Sequence, residues 1–283
     1  MYKVDDTQIE EMVRLALQED LQTGDITGLL IDEHQFSSAE IITREPMVLS
    51  GQDWLTTSVK LCDPNAEIEW YVKDGDKIDA ELTLCKIKAN SRALLSAERT
   101  GLNFIQLLSG IATTTHQFVE QLSEPTRLLD TRKTLPLLRH AQKYAVACGG
   151  GVNHRFGLYD AFLIKENHIK ACGSILDALS KARALYPEKL LEIEVESLDE
   201  LKLALQGSVD RIMLDNFTIE MIQKAMTIRG EQPVAFEVSG NINLDNIAAV
   251  SATGVDYISV GALTKSVKAI DLSLLIREVW CDE

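Results

Sequence analysis

The alternation of apolar and polar positions divides the chain into a mixed first part and a repetitive second part. Residues 7–19 carry Ile9, Met12, Val13, Leu15 and Leu17 among acids at helical spacing, and Gly24 then ends the pattern, which predicts an N-terminal helix followed by a loop. Strand-like runs follow at 38–45, 67–72 and 82–89, with Asp74-Gly75-Asp76 as a turn between the last two, so the first part reads as mixed α/β with antiparallel pairing. From Arg92 to about Leu122, Leu94, Leu95, Leu102, Ile105, Leu108 and Ile111 fit one or two long helices, interrupted near Gly110.

Beyond that helix the pattern becomes short, nearly continuous apolar runs separated by helical stretches, the signature of buried parallel strands with crossover helices. The runs lie at 127–130, 161–165, 190–196, 210–215, 234–240 and 256–261. They recur at roughly the length of one βα unit. Six units suit a doubly wound sheet or an incomplete (β/α) barrel. The strand ends favour the barrel: Asp130 to Lys133, Lys165, Glu194 to Glu196, Asp215-Asn216, Ser239-Gly240-Asn241 and Gly261 form one ring of functional groups where βα loops build a site. The expected architecture is an N-terminal mixed α/β sandwich domain, 1–112, joined by a C-terminal amphipathic helix at 267–283, plus a barrel domain, 113–266.

Charge sharpens this picture. The 283 residues carry a formal net charge of −15, which disfavours nucleic acid and anionic lipid, yet seven Lys or Arg face only three acids between Asp130 and Lys170. A positive island in an acidic chain suits a small polyanionic substrate, and a solvated helix face fits it equally well. No apolar run is long enough to span a membrane. The acidic first twenty residues lack a secretory pattern. The five cysteines are scattered without a CxxC pair, which together with that start reads as a cytoplasmic protein with reduced thiols.

P-loop, HExxH, GxSxG and GxGxxG spacings are absent, and Gly149-Gly150-Gly151 runs instead into Val152-Asn153-His154. Taken singly, Glu194 fits a strand salt bridge, Asp215 a helix N-cap, His154 a core histidine and Cys148 a small buried side chain. Taken together, the blocks are specific. They are Asp130-Thr131-Arg132-Lys133-Thr134, Lys143-Tyr144-Ala145-Val146, Asn153-His154-Arg155 and Leu163-Ile164-Lys165-Glu166-Asn167-His168. Outside that window stand Gly24-Asp25-Ile26-Thr27, Glu98-Arg99-Thr100-Gly101-Leu102-Asn103, Glu192-Ile193-Glu194-Val195, Leu214-Asp215-Asn216, Ser239-Gly240 and Ser259-Val260-Gly261-Ala262-Leu263-Thr264. Over nearly its whole length the chain resembles the quinolinate phosphoribosyltransferase family of NAD biosynthesis.

That resemblance implies transfer of phosphoribosyl from phosphoribosyl pyrophosphate to the nitrogen of quinolinate, with loss of the ring 2-carboxylate as CO2 and formation of nicotinate mononucleotide. It implies that Arg132, His154, Arg155 and Lys165 hold the two carboxylates, and that Arg99 completes the pocket of the neighbouring subunit in a homodimer. Lys133 is implied as a phosphate contact. Glu194 and Asp215 are implied to meet the ribose hydroxyls and the Mg²⁺ held by pyrophosphate. Ser239, Gly240, Asn241 and Ser259 to Gly261 would serve the 5′-phosphate, with backbone N–H groups offered from 239–241 and from the Val260-Gly261 turn. No covalent nucleophile or general base is assigned.

Two positions depart from the family pattern. Leu137 stands where Thr-Pro-Gly-Leu-Arg has glycine, and Lys265 replaces histidine after Thr264. A paralogue associated with molybdate transport and a non-catalytic ligand-binding barrel are the competing readings. The intact cationic set speaks against the first, and Glu194, Asp215 and the Ser239 loop against the second.

Overall fold

The computed structural model describes residues 2–281, which divide into two units. The first comprises 1–116, 134–150 and 266–283. It contains α1 (Asp6–Leu21), β1 (Gln35–Thr43), β2 (Met47–Val48), α2 (Gln52–Cys62), β3 (Glu67–Trp70), β4 (Lys77–Ile78), β5 (Thr83–Asn90), most of α3 (Ser91–Val119) and α4 (Arg139–Cys148). Asp5 caps α1 by accepting a hydrogen bond from the Thr7 N–H at 2.9 Å. Segment 134–150, expected in the barrel domain, belongs to this first unit.

Its main sheet has the order C-terminal strand, β1, β5, β3, with every neighbour antiparallel. The C-terminal strand is Leu272–Cys281, where a helix at 267–283 was expected; residues 282 and 283 lie outside the described residues. The segment LSLLIREVW satisfies both helical and alternating periods. The open edge of β1 decides, because pairing Ile41 with Leu274 and Glu40 with Leu275 satisfies a row of backbone groups that a helix could not. The Arg277 Nε donates to Glu40 at 2.9 Å on the same pair of strands. Ile41, Leu49, Leu84, Ile87, Leu94 and Ile105 meet in the core between sheet and helices.

α3 is also uninterrupted at Gly110. A Cβ there would stand 2.2 Å from the Lys268 carbonyl oxygen, so this glycine permits close backbone approach and does not break the helix. Cys148 is buried, and desolvation pushes its thiol up to about 11, which keeps it protonated and excludes a thiolate nucleophile at neutral pH.

Leu137 adopts φ +67°, the left-handed region, at a position 84% exposed. Little packing offsets the backbone strain there. Leu137→Gly is expected to raise stability by about 0.5–1 kcal/mol, whereas Leu137→Val lowers it, as read by thermal denaturation.

The second unit comprises 117–133 and 151–265. It carries β6 (Arg127–Leu129), β7 (Phe162–Ile164), α5 (Glu166–Cys172), α6 (Ile175–Leu185), β8 (Leu191–Val195), α7 (Leu198–Ala204), β9 (Arg211–Asp215), α8 (Ile219–Arg229), β10 (Ala235–Ser239), α9 (Ile247–Ser251), β11 (Tyr257–Ser259) and α10 (Ala262–Lys265). The parallel sheet has the order β6, β11, β10, β9, β8, β7. The first strand therefore sits beside the last, and sequential order continues around to β7. This is the cyclic order of a barrel with the seam between β6 and β7 unpaired, and not the reversal of a doubly wound sheet. Ser197 and Thr218 cap α7 and α8 as the chain leaves β8 and β9, and Ser174 caps α6 after α5.

Candidate active site

Strand parity decides which side chains enter the barrel. Register pairs Glu192 with Arg211, Glu194 with Met213, Met213 with Glu237, Asp215 with Ser239 and Glu237 with Tyr257. These residues share the inner face, because side chains alternate along a strand. At the carboxyl end they open into a cavity of about 400 Å³.

Arg132, Lys133, His154, Arg155, Lys165, Glu194, Asp215, Ser239 and Ser259 all line that cavity. Arg155 is fixed by donation from its Nη1 to the Ala161 carbonyl at 3.0 Å. Burial, and next the charge of Arg132, hold its guanidinium below the ordinary arginine range. Both guanidiniums line the same cavity, and the Arg132 charge is felt at Arg155. Lys165 Nζ is paired with Glu194 Oε2. Asp215 is raised by burial and then by the Glu194 charge, with Lys165 and Lys133 opposing the shift.

Asp130 organises the loop that carries Arg155. Fully buried at the end of β6, it accepts from the His154 backbone N–H at 2.8 Å and from Asn153 Nδ2 at 2.7 Å. His154 itself differs from expectation. Its Nδ1 accepts the Arg155 backbone N–H at 2.7 Å, and its Nε2 lies 3.0 Å from Glu192 Oε2 and 3.5 Å from Glu237 Oε2. Both ring nitrogens are therefore turned toward protein groups.

Other assigned residues fall elsewhere. Gly240 has φ +101°, and a Cβ there would stand 2.2 Å from Asn216 Oδ1, so the turn after β10 requires glycine. Asn241 donates its side-chain amide to the same Asn216 oxygen at 3.3 Å. Val260 is buried, and its N–H donates to the Leu129 carbonyl at 3.0 Å. Parallel pairing consumes this N–H, which corrects the assignment of Val260 as a backbone phosphate donor. Gly261 brings its backbone close to the Lys133 side chain, and Thr264 Oγ1 donates to the Lys133 carbonyl at 2.7 Å. Arg99 stands on α3 of the first unit, 60% exposed and 3.9 Å from Glu98, beside a groove formed by Met12, Glu19, Phe104 and Leu137.

Sequence reasoning missed the floor of the cavity. Glu192 and Glu237 are fully buried there, and Arg211 Nη1 lies 3.2 Å from Glu237 Oε2 and 3.9 Å from Glu192 Oε2. The Arg211 guanidinium rests 4.2 Å from the Tyr257 ring centroid. Burial raises both acids, and burial followed by the Glu192 charge pushes Glu237 up to about 8. The available signal was parity, since Glu192 shares a strand face with Glu194 and Glu237 shares one with Ser239.

Comparison with known proteins supplies the family. Residues 25–109 match the family model described as Quinolinate phosphoribosyl transferase, N-terminal domain, and residues 111–275 match the corresponding C-terminal domain. The chain belongs to the quinolinate phosphoribosyltransferase family. Among its relatives, a nicotinate-nucleotide pyrophosphorylase (carboxylating) of Mycobacterium leprae is 42% identical, with 93% of this chain and 95% of that protein covered. A probable enzyme of the same name from Bacillus subtilis is 40% identical over 94% of this chain and 93% of its own. The solved nicotinate-nucleotide pyrophosphorylase of Francisella tularensis superposes with a TM-score of 0.94 at 50% identity, covering 97% of this chain and 98% of that one. As a phosphoribosyltransferase the chain is a decarboxylating pentosyltransferase of pyridine-nucleotide biosynthesis. Among the described residues no helix is long and apolar enough to cross a membrane.

Proposed function

We propose that the barrel cavity binds quinolinate against Arg132, Arg155 and Lys165, and phosphoribosyl pyrophosphate along Lys133, Glu194, Asp215 and Ser239, for the decarboxylating transfer that this family performs. The observation that carries this reading is the convergence of Arg132, Arg155, Lys165 and Lys133 on one cavity in a chain of net charge −15. Two guanidiniums in one cavity suit a planar dicarboxylate, which bidentate donors hold in one orientation. His154 serves as a positioning residue, fixing the Arg155 backbone from one ring nitrogen while the other meets the buried glutamates.

The ring nitrogen displaces pyrophosphate at the ribosyl carbon through an oxocarbenium-like state, which the carboxylates of Glu194 and Asp215 stabilise. Lys133 places a point charge on the phosphates, and the Ser239-Gly240-Asn241 turn receives the 5′-phosphate. Glu194, Glu196 and Asp215 bring carboxylate oxygens within 4.8 Å of one another, a hard-oxygen set that fits Mg²⁺. When bound there with pyrophosphate, Mg²⁺ neutralises leaving-group charge. Positive charge on the newly substituted ring nitrogen then draws electrons from the 2-carboxylate bond, CO2 departs with the bonding pair left on C2, and protonation of C2 gives nicotinate mononucleotide.

The functional unit in this reading is a cytoplasmic homodimer in which Arg99 enters the neighbouring subunit's site; the exposure of Arg99 on α3 supports that placement. The deciding experiment measures nicotinate mononucleotide and CO2 from quinolinate, phosphoribosyl pyrophosphate and Mg²⁺. Turnover is expected with quinolinate and not with nicotinate, and Arg132→Ala lowers kcat/KM by roughly 100-fold. No product from either acid would favour the molybdate-associated paralogue or a silent barrel.

A further inference from the structure

The floor of the cavity contains a group for which the transfer step has no use. Glu237 lines the cavity, is fully buried, and is held on its Oε2 side by Arg211 at 3.2 Å and His154 at 3.5 Å. Its Oε1 is buried, and the Ser259 hydroxyl and the Glu192 carboxyl are the neighbouring hydrogen-bonding groups of this carboxyl. Two buried carboxyls, Glu192 and Glu237, share this small space with one arginine, and like charges so close disfavour ionisation of both.

The chemistry creates a matching demand. When CO2 leaves, C2 of the pyridine ring retains the bonding electron pair beside the positive nitrogen, and CO2 can recombine until C2 is protonated. A cavity closed by substrate supplies little bulk water for that purpose. The other acids in the cavity, Glu194 and Asp215, are nearer the carboxyl ends of their strands, and Glu194 is engaged with Lys165.

We infer that Glu237 is the general acid that protonates C2 after decarboxylation, with Arg211 and His154 stabilising the carboxylate it leaves. The C2–carboxylate bond breaks, its electron pair stays on C2, the Glu237 proton forms the new C2–H bond, and CO2 departs. Solvent reprotonates Glu237 once product leaves. A carboxyl raised to about 8 by burial and by Glu192 retains its proton at neutral pH, as this role requires. The inference rests on the assigned reaction, whose own test is product formation by the unaltered protein.

Single-turnover rapid quench of the unaltered protein and Glu237→Gln, with pyrophosphate and CO2 quantified separately, distinguishes the roles. Pyrophosphate release is expected to stay within about threefold, while CO2 release falls roughly 100-fold and the dicarboxylated mononucleotide accumulates. Equal loss of pyrophosphate and CO2 would show a structural role and overturn the inference, as would CO2 release that keeps pace with pyrophosphate. A second measurement needs no variant. In D2O the unaltered protein should release CO2 more slowly at unchanged pyrophosphate release, and an equal effect on both, or on neither, would also overturn it. Absence of both products from the unaltered protein would instead defeat the reaction assignment.

Discussion

Glu194→Gln is expected to lower kcat/KM for phosphoribosyl pyrophosphate by about 1,000-fold, roughly 4 kcal/mol of transition-state stabilisation, with little loss of fold stability. Glu194 sits on the inner face of β8, paired with Lys165 and close enough to Asp215 that its charge helps to raise that carboxyl. Glutamine keeps the shape and removes the charge. Positive charge developing on the ribosyl centre then loses one of the two carboxylates opposing it, and the oxygen donors available to Mg²⁺ are weakened. Lys165, relieved of its partner, would hold a quinolinate carboxylate at least as well. The expected pattern is therefore asymmetric: a large fall in kcat, a higher requirement for Mg²⁺, and an unchanged or lower KM for quinolinate. Steady-state kinetics with each substrate varied in turn checks this. A loss confined to quinolinate binding would refute the assignment of Glu194 to the ribosyl side.

Asp130→Ala should damage both stability and activity. The carboxylate is fully buried and accepts from the His154 backbone N–H and the Asn153 amide, so its removal leaves buried donors unsatisfied. The expected cost is about 2–4 kcal/mol, measured by denaturant unfolding. Because the same loop carries Arg155, the surviving folded protein should show a KM for quinolinate raised at least tenfold, about 1.4 kcal/mol of binding. Asp130→Asn keeps an acceptor oxygen and should recover part of the stability. If KM is unchanged while stability falls, Asp130 supports the barrel without positioning the cations.

The distribution of these residues shows why much of the site was legible before any coordinates. Lys165, Glu194, Asp215 and Ser239 stand at the ends of apolar runs, and in a barrel all such ends lie on one rim. Local order along the chain therefore carries their convergence. The Leu137 departure was legible as a missing glycine, and its left-handed backbone gives that absence a physical consequence. His154 was legible as a site residue only through the joint pattern of blocks. The directions of its two ring nitrogens depend on Arg155, Glu192 and Glu237, which no spacing rule connects.

By itself, the sequence determined the mixed first part, the six βα units, the positive island and the family, because each is written in local periodicity or contiguous blocks. Tertiary structure alone decided that 272–281 is a strand, since the open edge of β1 supplies hydrogen-bond partners that an ambiguous period could not specify. It also decided that Gly110 admits a neighbouring backbone, that Val260 gives its N–H to the sheet, and that Glu192, Arg211 and Glu237 meet beneath the cavity. Each of these outcomes joins groups distant in sequence, and burial then raises the Glu192 and Glu237 carboxyls.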